Sequence, residues 1–84
     1  MFYYVYMLKS ISPGKKKSYV GYSNNVNLRL HRHNTNKGAK STRGYKWILI
    51  YKKKFENRND AMKFEYKLKS NKIQRKKILE RFIK

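Results

Sequence analysis

Glu65 is an acid where the pattern asks for an apolar residue. On a helical wheel it falls between Ala61 and Met62, inside the apolar arc that also holds Phe64 and Leu68. A carboxylate on a core-facing side is costly to bury unpaired. A cation, a metal ion or a buried hydrogen-bond network must compensate it, and an i,i+4 ion pair with Lys69 at the rim of the core is the plainest choice. Arg29 and His33 stand one helical turn apart on one side, flanking Val26. A guanidinium offers a planar fork of donors to a phosphate, and an imidazole beside it can give a proton or a hydrogen bond near neutral pH. The pair also fits a solvated basic face, since His31 and Arg32 are adjacent. Tyr6 and Tyr19 lie in two apolar runs, where a Tyr commonly packs its ring in the core with the hydroxyl at the surface.

The elements that must position these groups follow from local pattern. Phe2 to Leu8 is rich in aromatic and β-branched residues and reads as a strand; Ser10 to Lys17, with Pro13-Gly14, reads as a turn or loop; Ser18 to Tyr22 reads as a second strand, making a hairpin. Ser23-Asn24-Asn25 offers N-caps for a helix from Val26 to about Asn34, with Val26, Arg29, Leu30 and His33 on one face. Residues 34–44 are polar and contain Gly38 and Gly44, a loop. Tyr45 to Phe55 carries the apolar run Trp47 to Tyr51, a third strand whose Lys52-Lys53-Lys54 end keeps a sheet edge soluble. Asn57 to Asn59 can cap a helix from Asp60 to about Ser70. Asn71 and Gln74 have capping-box spacing, opening a basic C-terminal helix that packs through Ile73, Ile78, Leu79, Phe82 and Ile83. The order is β-β-α-β-α-α, an α+β fold in a single domain, 1–84, with a motif-bearing core of about 2–70 and a basic last helix, 71–84.

Composition bounds the partners. The 84 residues suffice for one domain, and 23 Lys and Arg against four acids give a formal net charge of +19. Such a cation binds polyanions, nucleic acid first and an anionic membrane surface second. An AT-rich genome by itself enriches Lys and Asn codons, so the charge supports a nucleic-acid partner without deciding it. The absence of Cys excludes disulfides and thiolate metal sites. No apolar run approaches a bilayer span, and Met1 to Met7 lacks the basic leader and cleavage pattern of a signal peptide. The expectation is a cytoplasmic protein without a membrane partner.

Taken together, Tyr4-Val5-Tyr6, Tyr19-Val20-Gly21, Arg29 eight residues after that Gly, His33 four further on and Glu65 in a later helix resemble the GIY-YIG nuclease family, from about Phe2 to Leu68. The likeness is to its small, stand-alone bacterial members, whose "GA-x-x-T-R" segment is similar to Gly38-Ala39-Lys40-Ser41-Thr42-Arg43. The resemblance implies a three-stranded antiparallel sheet with flanking helices and a metal-dependent endonuclease that hydrolyses DNA, structure-selective rather than sequence-specific. Carried over by position, Glu65 holds one Mg²⁺ or Mn²⁺, Arg29 grips the scissile phosphate, and Tyr6 or Tyr19 positions the attacking water and takes its proton, with Arg29 and nearby Lys lowering the phenol's pKa. His33 positions groups or assists proton transfer. Lys37, Lys40, Thr42, Arg43 and Lys46, with Lys69 of the Lys-rich C-terminal part, track the phosphate backbone. A protein partner for substrate targeting stays open. Tyr4 replaces the Gly of the first triplet, Val5 and Val20 replace Ile, Tyr22 stands where some relatives carry Lys, and Asn71 is the candidate for a late supporting Asn. The alternatives are a non-catalytic nucleic-acid-binding module that keeps the fold, and a small RNA- or ribosome-associated basic protein.

Overall fold

Alternation along one strand organises the molecule. In the computed structural model, which describes residues 1–11, 14 and 16–83, β1 (Tyr3–Ser10) is the middle strand of an antiparallel sheet ordered β2-β1-β3. β2 (Ser18–Ser23) and β3 (Trp47–Phe55) are its edges. Val5, Tyr6, Met7 and Leu8 have no exposed surface. Successive side chains point to opposite faces. Val5 and Met7 therefore pack with Val20, Ala61, Leu68 and Ile78, while Tyr6 and Leu8 pack with Val26 and Trp47. The first face is covered by α2 (Arg58–Ser70) and α3 (Lys72–Ile83), the second by α1 (Val26–Asn34). The expected order β-β-α-β-α-α and the three-stranded sheet are both found. Of the Pro13-Gly14 turn, Gly14 adopts φ +73°, natural for a residue without Cβ; Pro13 lies outside the described residues, as do Lys15, Lys84 and the side chain of Ile83.

A register shift in β3 has consequences for the site. Met7 faces Tyr51, but Leu8 faces Leu49, so Ile50 is an extra residue. A bulge of this kind flips the facing of everything beyond it. It turns Leu49 and Trp47 toward α1, where the Trp47 indole N–H donates to the Thr42 carbonyl at 3.0 Å. The Asn34 side chain locks the same corner, accepting from Trp47 N–H at 2.6 Å and donating to its carbonyl at 3.0 Å. Thr42 closes a short 3₁₀ turn, Lys40–Thr42, inside the loop expected to be irregular.

Helix ends follow the sequence closely. Asn25 Oδ1 accepts from Leu28 N–H, Asn57 Oδ1 from Asp60 N–H, and Asn71 Oδ1 from Gln74 N–H, each satisfying an orphan donor of a first turn. β3 begins at Trp47 rather than Tyr45 and α2 at Arg58 rather than Asp60. The C-terminal helix departs more. Ile78 is buried and Leu79 packs on the core, but Ile73 is 71% exposed and Phe82 46%. Ile73 lies five residues from Ile78, about 140° around a helix of 3.6 residues per turn, so both cannot face the sheet.

Candidate active site

The open edge of β2 is where the two helical layers meet. Arg29 comes from α1 on one face of the sheet and Glu65 from α2 on the other. Around this edge they line a cavity of about 300 Å³ with Tyr19, Gly21, Tyr22 and Ser23 of β2. Glu65 is largely shielded, its side chain 16% exposed, and faces the half-exposed Lys69 at 3.6 Å. Arg29 Nε is buried without a hydrogen-bond partner among the described residues. Such a donor costs about 1–3 kcal/mol, more when charged, until an acceptor arrives. A second cavity, about 400 Å³, lies beside the first and shares Tyr19 with it; Ser18, Ser41, Lys69 and Arg75 complete its polar lining.

Behind Tyr19 and Arg29 sits a buried polar column. The Tyr6 hydroxyl is 3.0 Å from His33 Nε2, and His33 Nδ1 is 3.0 Å from Thr42 Oγ1. None of the three residues is exposed. The His33 ring packs on Tyr19, centroids 4.6 Å apart. Two glycines make room. A Cβ on Gly21 would stand 2.6 Å from the Tyr6 hydroxyl, and one on Gly38 would collide with His33 Nδ1. The Tyr6 and Tyr19 hydroxyls act on the Arg29 guanidinium; a side-chain hydrogen bond with Tyr6 contributes most to raising the Arg29 pKa. Burial raises the Tyr6 pKa, only partly countered by Arg29. Burial lowers that of His33, and Arg29 lowers it further.

The sequence-predicted residues thus divide. Tyr19, Arg29 and Glu65 line one pocket, and Tyr6 and His33 stand behind it. Glu65 keeps the i,i+4 partner that its wheel position suggested, and it also lines the pocket. Three expectations are corrected. Thr42 is not a phosphate-tracking residue: it is fully buried, and its hydroxyl is committed to His33 and to the Ala39 carbonyl. Arg29 does not lower the Tyr6 pKa on balance, because burial raises it by more. His33 belongs to no solvated basic face; it is buried, and that burial lowers its pKa from 6.5. Lys37, Lys40, Arg43, Lys46 and Lys69 are exposed cations; Lys46 Nζ also reaches the Asn34 carbonyl at 3.4 Å. Sequence reasoning missed the two space-making roles of Gly21 and Gly38. It also missed Arg58, whose guanidinium donates to the hydroxyl of the pocket residue Tyr22 at 3.3 Å. The signal for Arg58 was Tyr22 itself, standing where some relatives carry a cation.

The sequence profile of the GIY-YIG catalytic domain matches residues 2–78. The chain belongs to the GIY-YIG family. A UPF0213 protein of Oceanobacillus iheyensis is 44% identical over 68 residues, covering 80% of this chain and 76% of its own. One from Staphylococcus haemolyticus is 38% identical over 76 residues, 88% of each chain. The solution NMR structure of a UPF0213 protein from Bacillus halodurans is 34% identical, spans 94% of this chain and 82% of that one, and has a TM-score of 0.49. Membership of the GIY-YIG family places the chain in a nuclease superfamily whose substrate is nucleic acid and whose members generally depend on a divalent metal. No helix among the described residues is long and apolar enough to cross a membrane.

The donor set fits such a metal only if water completes it. Among the described residues no group of three or more His, Cys, Asp or Glu gathers, and Glu65 is the one carboxylate lining the pocket. A single hard oxygen suits Mg²⁺ or Mn²⁺, since Mg²⁺ in particular keeps several waters and binds through one or two carboxylates plus substrate phosphate. It does not suit zinc, which takes three or four protein ligands, mostly His and Cys.

Proposed function

We propose that this GIY-YIG protein is a metal-dependent endonuclease that hydrolyses DNA phosphodiesters, selecting substrate structure rather than base sequence. The observation that carries this reading is the shared pocket: an acid and a guanidinium side chain line one cavity, reaching it from opposite faces of the sheet. Arg29 lines this cavity, and its planar fork of donors suits the non-bridging oxygens of a phosphate. The guanidinium then grips the scissile phosphate and offsets charge that grows in the transition state. Glu65 would hold the divalent cation. When bound, it polarises the phosphate and stabilises the leaving oxygen. Tyr19, on the pocket wall, positions the attacking water and, acting as the phenolate, takes its proton to become the phenol. Tyr6 lies behind, and its hydroxyl orients Arg29 rather than water. Lys69, one turn beyond Glu65 on α2, and Arg75 of α3 extend the positive track into the second cavity. Exposed Lys37, Lys40, Arg43 and Lys46 widen that track. All are phosphate contacts, which position a strand without reading its sequence.

The test is cleavage of branched and plasmid DNA with Mg²⁺, Mn²⁺ or EDTA. Metal-dependent nicking that disappears in Glu65→Ala and Arg29→Ala supports the enzyme. No cleavage by the wild type, with binding unchanged in both variants, would assign a binding module instead.

A further inference from the structure

The buried column behind the pocket has a direction, and that direction follows from counting protons. Thr42 Oγ1 lies 2.7 Å from the Ala39 carbonyl oxygen. Two oxygens this close need a hydrogen between them, and the hydroxyl owns the only one. Toward His33, 3.0 Å away, Thr42 Oγ1 can then only accept, so Nδ1 carries the imidazole proton. In a neutral ring Nε2 is then an acceptor. The Tyr6 hydroxyl, 3.0 Å from Nε2, must donate to it. With its proton held there, the phenol oxygen turns its lone pairs to the remaining neighbour, the Arg29 guanidinium.

We infer that Thr42 is a positioning residue: by fixing the His33 tautomer as Nδ1–H it sets the polarity of the Tyr6 hydroxyl, which holds Arg29 in place to receive a phosphate. The inference rests on the nuclease reading for its catalytic consequence, but not for its structural content. The other tautomer would put N–H on Nε2, turn the Tyr6 proton toward Arg29 and set donor against donor. Three features keep the column in place. The Trp47 indole holds the Thr42 carbonyl, the bulge at Ile50 brings Trp47 to that side, and Gly38 leaves no side chain against His33 Nδ1. The groups facing His33 are Tyr6, Tyr19, Arg29 and Thr42, with no carboxylate among the contacts described, so nothing nearby favours the imidazolium.

The experiment is ¹⁵N NMR of the imidazole nitrogens, which separates the two tautomers directly; the chain has only two His to assign. The wild type is expected to show His33 as Nδ1–H. Thr42→Val keeps the shape but removes the acceptor; the Ala39 carbonyl retains the Thr42 backbone N–H at 3.0 Å. This variant is expected to shift His33 toward Nε2–H and to move the Arg29 Nε–H resonance. It should lower kcat roughly tenfold or more with KM little changed, as a wrong tautomer does in other enzymes. Thr42→Ser is expected to restore all three. A wild-type His33 found as Nε2–H overturns the inference, even if Thr42→Val fails to fold. So does a folded Thr42→Val whose tautomer and Arg29 resonance match the wild type. If the resonances behave as expected but the wild type cuts nothing, the nuclease reading falls and the positioning role stands.

Discussion

Gly21→Ala isolates the packing that the pocket depends on. Gly21 has no positive φ, so its backbone accepts Ala and only sterics are at stake. The new Cβ would lie 2.6 Å from the Tyr6 hydroxyl, 2.8 Å from its Cζ and 3.0 Å from Tyr19 Cε2. Carbon contacts are comfortable near 3.5–4.0 Å, so Tyr6 must retreat by several tenths of an ångström or more. It has nowhere to go: its ring is fully buried and its hydroxyl is tied to His33. Overpacking a core in this way costs about 1–3 kcal/mol. For a domain of this size each kcal/mol lowers Tm by about 4–8 °C, so a fall of at least several degrees is expected. Cleavage should fall further than stability, because Tyr6 and Tyr19 are displaced together with the guanidinium they face. Thermal denaturation and single-turnover cleavage of Gly21→Ala provide the two readings. In the double variant Gly21→Ala/Tyr6→Phe the loss should be smaller than the sum of the two single losses, since Tyr6→Phe deletes the closest clash and leaves the contact with Cζ. A Gly21→Ala protein within about 0.5 kcal/mol of wild type and fully active would refute the packing argument.

Other perturbations act on single groups. Arg29→Lys keeps the charge and loses the fork, so kcat should fall roughly 10²–10³-fold while the protein stays folded, measured by cleavage alongside circular dichroism. Tyr19→Phe should abolish most turnover at unchanged stability. Tyr6→Phe should lower turnover and also destabilise by about 1–3 kcal/mol, because His33 Nε2 loses its partner in the core; urea titration separates the two tyrosines. The His33 pKa is lowered from 6.5 in the folded state, so below that value the unfolded chain binds the extra proton and folding weakens as pH drops. Denaturation midpoints between pH 7.5 and 5.5 should decline in the wild type and flatten in His33→Gln. DNA affinity should fall steeply with salt, with a log–log slope of about −0.9 for each phosphate neutralised, as read from binding isotherms between 50 and 200 mM salt.

What could be read from the sequence was what repeats locally. The alternation in Tyr3–Ser10, the Asn caps and the apolar faces of α1 and α2 set their elements within two residues, because period and capping are short-range properties. Tyr19, Arg29 and Glu65 were legible through type and spacing. Thr42 was not: a hydroxyl in a loop of Lys and Arg looks solvated, and only the bulge at Ile50 brings Trp47 over to bury it. Gly21 was visible as a motif residue, but its role depends on the Tyr6 ring across the sheet, a contact that no local pattern encodes. Ile73 and Phe82 misled in the opposite sense, since an apolar residue on a short helix need not find the core.

The most direct test of the shared pocket is a crystal structure of the wild-type protein soaked with Mn²⁺, using the metal's anomalous signal. The account predicts a single ion bound to the Glu65 carboxylate, otherwise ligated by water and within the cavity that Tyr19 and Arg29 line. A peak elsewhere, or a Glu65 still paired to Lys69 with no ion beside it, would contradict it.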